Sequence, residues 1–61
     1  MIKVGDTVSI EMNFFGEWEP IGIGLIIDYQ KTGRHIDYVV LINGQIETYT
    51  ELSTCRIKKL L

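Results

Sequence analysis

One thiol and one imidazole, Cys55 and His35, are the only groups in this 61-residue chain suited to nucleophilic catalysis. A thiol nucleophile needs a base within hydrogen-bonding reach and usually a third group to orient that base. No third member accompanies this pair, so Cys55 is expected as a small inward-facing strand residue. The same two side chains would reach a tetrahedral zinc site only with help from Asp28, Asp37 or a second chain. Glu17 and Glu19 flank Trp18, and two carboxylates so close can in principle share acid and base work. On a loop marked by Gly16 and Pro20 they are expected to be solvated charge. Gly22-Ile23-Gly24 is not a phosphate cradle, because such a loop joins a strand to a helix N-terminus and these glycines lie inside a strand pattern. The expectation is a non-enzymatic chain with no metal and no cofactor.

The aromatic residues are more informative. Phe14, Phe15 and Trp18 place three large rings within five residues, and rings of that area are costly to leave in water. Phe15 is expected to fold back at Gly16 as a lid over Gly22 and Gly24. Phe14 and Trp18 are expected to stay exposed and to form a partner site with Arg34, His35, Tyr49 and Leu52 from two later connections.

These residues must be positioned by strands. The hub is Ile21 to Gln30, where Ile21, Ile23, Leu25, Ile27 and Tyr29 alternate with Gly22, Gly24, Asp28 and Gln30 and only Ile26 breaks the pattern. Period-2 alternation predicts a long strand buried on its isoleucine face, and the two glycines permit a sharp bend on the other. Before it, Val8, Ile10 and Met12 alternate with Thr7, Ser9, Glu11 and Asn13, a half-buried first strand. Phe14 to Pro20 breaks the pattern and reads as a protruding loop. Lys31 to His35 is a polar connection into a third strand, Ile36 to Ile42, whose apolar residues on both sides predict burial on both faces. Asn43-Gly44 between apolar runs specifies a type I′ hairpin into Gln45 to Tyr49. Glu51 to Thr54 suits a single 3₁₀ turn, after which Cys55 to Leu60 can close the sheet against the first strand.

Composition sets the outer limits. A chain this short hides only about 60% of the surface its unfolded form exposes, so residues 1–61 make one domain with a thin core. With 46% hydrophobic residues and no alanine, it is too apolar for a disordered tail and favours strands over helices. A net charge of −2 lacks the clustered excess of Lys and Arg on which phosphate-backbone binding depends. A lone cysteine suits a reducing cytoplasm better than a disulfide-built secreted domain. No apolar run approaches the roughly 18 residues that a membrane-spanning helix needs, and the start lacks the pattern of a signal peptide. Lys58-Lys59 is expected to be a solvated end or edge-strand protection.

Val4-Gly5-Asp6-Thr7-Val8, Gly22-Ile23-Gly24-Leu25-Ile26, Tyr38-Val39-Val40-Leu41 with Asn43-Gly44, and Glu51-Leu52 before Ile57 together resemble a known pattern. It is that of the small stand-alone SH3-like proteins of tailed bacteriophages and bacteria. The resemblance covers nearly the whole chain and implies an all-β, five-stranded SH3-like small barrel. Neither the Ala-Leu-Tyr-Asp-Tyr signature nor the paired tryptophans of signalling SH3 domains is present, so recognition of proline-rich peptides is not implied. The expected function is a protein-protein interaction module, an accessory protein of phage or bacterial type. Two alternatives stand beside it. One is a single-stranded nucleic-acid binder that stacks bases on Phe14, Phe15, Trp18 and Tyr49, disfavoured by the acidic charge. The other is a homo-oligomeric structural subunit.

Overall fold

Alternation of apolar and polar residues, punctuated by glycine-bearing turns, yields five strands and no helix. The computed structural model describes residues 1–61, with β1 at Thr7–Phe14, β2 at Glu17–Thr32, β3 at His35–Ile42, β4 at Gln45–Thr50 and β5 at Cys55–Lys59. All neighbours are antiparallel, in the order β4-β3-β2-β1-β5. No ladder joins β4 to β5, so the sheet is open. The pairing of β5 with β1 is as expected from the sequence.

Three hairpins connect the first four strands, each by two residues. Phe15-Gly16 and Asn43-Gly44 have positive φ at both positions (54° and 87°, 54° and 74°), the pattern of type I′ turns. Phe14 therefore pairs with Glu17, and Asn13 with Trp18. The protruding loop expected over Phe14 to Pro20 is instead the tip of a hairpin, because the backbone ladder runs on through it. Likewise Lys31 to His35 is not a free connection. Only Gly33-Arg34 turns, and Thr32 already pairs with His35. The segment Glu51 to Thr54, expected as a single 3₁₀ turn, is a plain turn closed by a bond from Cys55 N–H to Leu52 C=O at 3.1 Å.

β2 is sixteen residues long and bends twice. Its ladder with β1 skips Ile21, and its ladder with β3 skips Ile27. Each extra residue is a bulge that increases local twist and curvature. The sheet thereby wraps around its own inner face, and the molecule measures only 30 × 28 × 21 Å. Val8, Ile10, Ile26, Tyr38, Val40, Ile42, Cys55 and Ile57 form the buried cluster on that inner face, with Ile2, Met12, Ile21, Ile36 and Tyr49 packed at its margin.

The hub strand is buried on the face opposite to the one its pattern predicts. Register places Gly24 opposite Val8 on one side and Ile42 on the other, and Gly22 opposite Ile10, so the glycines face inward. Ile23, Leu25 and Ile27 are exposed by 64%, 40% and 37%, whereas Ile26, the residue that broke the alternation, is 1% exposed. The reason is curvature. At Gly24 the concave face has room for Val40 and Ile42 because β2 contributes no side chain there, and Ile26 is the residue that β2 adds to the same core. The outer side of β3 is open for the same reason, with Leu41 43% exposed.

Candidate functional site

The β1/β2 hairpin carries the three clustered rings, and register separates them. Phe14 ends β1 on the inner side, following Ile10 and Met12 at period two, and remains exposed. Trp18 is on the outer side, half-buried, with the Arg56 guanidinium 3.7 Å from its ring centroid. Arg56 reaches it across β1 from β5 and also lies 4.0 Å from Glu11. Trp18 is thus neither a lid on the inner face nor a free ring.

Phe15 does not fold back. It occupies the first central position of the tight turn, at φ 54°, and its side chain is fully exposed. No aromatic ring covers the glycines: Gly22 has the Asn43 amide and Ile42 beside it, and Gly24 has Val40 and Ile42. The amide of Asn43 donates to Ile21 C=O at 3.3 Å, so the second hairpin is stitched onto the bend of β2. The Asn13 carboxamide accepts a bond from Gly16 N–H at 2.9 Å, which holds the first hairpin tip.

The remaining sequence-nominated residues lie elsewhere. Arg34 and His35 sit at the β2/β3 turn, at the far end of β2 from Phe14. Tyr49 belongs to a row of three tyrosines on the inner side, Tyr29, Tyr38 and Tyr49, paired in register across β2, β3 and β4. Its hydroxyl donates to Glu47 at 2.7 Å. Burial first, then that hydrogen bond and the Glu47 charge, pushes the Tyr49 phenol up to about 12. Tyr38 is raised as well, by burial and then by the charge of Glu51. Leu52 is exposed in the turn before β5. No hydrogen bond, ion pair or ring stacking joins any two of Phe14, Trp18, Arg34, His35, Tyr49 and Leu52.

Cys55 is 4% exposed, opposite Met12 on the inner face, and burial raises its thiol above the ordinary value. Two whole strands, β1 and β2, lie between it and His35 in the sheet. A buried, protonated thiol without a base is a packing residue. No group of three or more His, Cys, Asp and Glu side chains is placed to hold a metal ion. The one concavity, about 260 Å³, lies where Met1, Ile2 and Lys3 cross the inner end of β2 and β3 against Tyr29, Lys31, Ile36 and Tyr38.

Two features escaped the sequence reading. Arg56 as the partner of Trp18 depends on β1 lying between them, which no local pattern reveals. The apolar outer surface formed by Ile23, Leu25, Ile27, Leu41 and Ile46 was hidden by assigning the isoleucine side of β2 inward. The Ile26-Ile27 doublet is the available signal, since a break in strict alternation marks a bulge. No helix is long and apolar enough to cross a membrane. Compared with known proteins, the chain matches no family model, no curated protein and no solved structure.

Proposed function

We propose that this chain is a non-enzymatic protein-interaction module, an SH3-like small barrel of the accessory type, working in a reducing cytoplasm and engaging its partner with the β1/β2 hairpin tip. The addition of β5 to β1 beside a long, bent β2 supports the barrel assignment. A buried free cysteine supports the compartment.

The observation that carries the binding site is a comparison within the chain. The β3/β4 turn uses Asn43 at φ 54°, a residue that tolerates the left-handed region. The β1/β2 turn holds Phe15 at the same φ, where a bulky residue is an outlier and costs about 1–2 kcal/mol. Phe15 recovers none of this through packing, because its ring is fully exposed. Strain kept without an internal return is a mark of function. Exposed Phe14 beside it extends the apolar tip, and Glu17 and Glu19 behind it suit a basic rim around an apolar pocket on a protein partner.

The test compares the parent chain with Phe15→Asn as immobilised bait in lysate of the cell that encodes it. A protein retained by the parent and lost with Phe15→Asn, at equal or higher thermal stability of the variant, is the expected result. Equal recovery by both overturns the assignment of the hairpin tip. Salt-sensitive recovery of nucleic acid, with no protein, would replace the protein partner by single strands.

A further inference from the structure

The inner face of the sheet is covered by its own curvature; the outer face of β2, β3 and β4 is covered by nothing in the chain. Thr7, Leu25, Leu41 and Ile46 form one row across β1 to β4. Ile23 and Ile27 flank Leu25 along β2. Exposures of 64% at Ile23, 43% at Leu41 and 68% at Ile46 show how open this surface is. With Leu25 and Ile27 the apolar patch amounts to roughly a tenth of the 4463 Å² molecular surface, the share that a specific interface takes up on a small protein.

We propose that this face is the interface of a homodimer, in which two copies pack their β2-β3-β4 surfaces against each other as a sheet sandwich. Two such patches remove roughly 900 Å² from water, close to the ~1,000 Å² at which a specific association begins. A two-fold interface must be self-complementary, since each copy presents the same surface to the other. This patch meets that demand. In register with it on β1 are Thr7 and Ser9, and the next row along the strands is Asp28, Val39 and Thr48, so the central row of Leu25, Leu41 and Ile46 holds no charge to meet its own image. Charges of both signs are left to the rim: Lys58, which has no ion-pair partner, beyond Ser9, and Asp28 beyond Ile27. The absence of cations within the patch argues against a nucleic acid or an anionic membrane as its cover. Facing sheets about 10 Å apart interdigitate isoleucine and leucine well. The surface is separate from Phe15, so dimerisation leaves the hairpin tip free.

The experiment is sedimentation velocity on the full chain from low micromolar to near-millimolar concentration, with Leu41→Lys and Ile46→Lys as variants. The parent is expected to pass from monomer to dimer, and each variant to weaken the dimer by about 30-fold or more. Both variants should keep the parent's far-ultraviolet circular dichroism. Should Leu41→Lys unfold on the central strand, Ile46→Lys on the edge strand still decides. A parent that stays monomeric throughout overturns the proposal, and so does a dimer indifferent to both folded variants, which would place the interface elsewhere.

Discussion

A Cβ placed on Gly24 would lie 2.4 Å from Val40 Cγ1, and 2.9 Å from the Leu41 carbonyl oxygen. The core of this protein is therefore seated directly on bare backbone. Val40 is fully buried and the carbonyl belongs to the paired strand, so neither neighbour can retreat. Gly24→Ala is expected to cost about 1–3 kcal/mol and Gly24→Val more, as overpacking does. Urea denaturation measures both, and a midpoint unchanged in Gly24→Val would show that β2 does not need its glycine.

The two type I′ turns should respond in opposite directions. Asn43→Ala is expected to lose about 1 kcal/mol, by placing a Cβ-bearing residue with no local hydrogen bond at φ 54°, and it also deletes the bond to Ile21 C=O. Phe15→Asn is expected to gain about 1 kcal/mol by relieving the same backbone strain. Thermal unfolding of the two variants beside the parent gives the signs, and a loss of stability in Phe15→Asn would mean that the ring has a structural duty.

Trp18 and Arg56 form a stack on the outer face rather than a plug on the inner one. A double-mutant cycle with Trp18→Ala and Arg56→Ala is expected to give a coupling of about 0.5–1 kcal/mol, the range of a cation–π contact with solvent access. Arg56→Ala should also shift tryptophan emission, because the guanidinium covers one ring face. Additive losses and an unmoved emission maximum would remove the stack from the solution structure.

Alkaline stability should fall in a defined window. The Tyr49 phenol is raised from 10.0 to about 12 by burial and by Glu47, so the folded state holds its proton more tightly than the unfolded state. The stabilisation is fully present below pH 10 and is lost as the pH rises through 12. Tyr38, raised in the same direction, adds to the trend. Denaturation midpoints collected across this range should decline, and Tyr49→Phe should flatten the decline. A midpoint independent of pH up to 12 would contradict the shift.

Local pattern determined the all-β class, the five strands in their order along the chain, the Asn43-Gly44 turn and the inward place of Cys55, because each depends on neighbours within a few residues. Alternation over Thr7 to Asn13 was enough to orient β1, since its polar face is unambiguous. Tertiary structure decided what alternation could not. β2 has small or apolar residues on both sides, and a period-2 pattern states only that its two faces differ, not which one the sheet curls around. The bulges at Ile21 and Ile27 and the lack of a Cβ at Gly24 settled that, by making the glycine side the concave one where Val40 and Ile42 fit. Phe15 shows the same limit from the other direction. Its ring was expected inside because exposed aromatic area is costly, yet the ladder carries on to Phe14 and Glu17 and leaves a two-residue turn whose one side chain has only solvent to face.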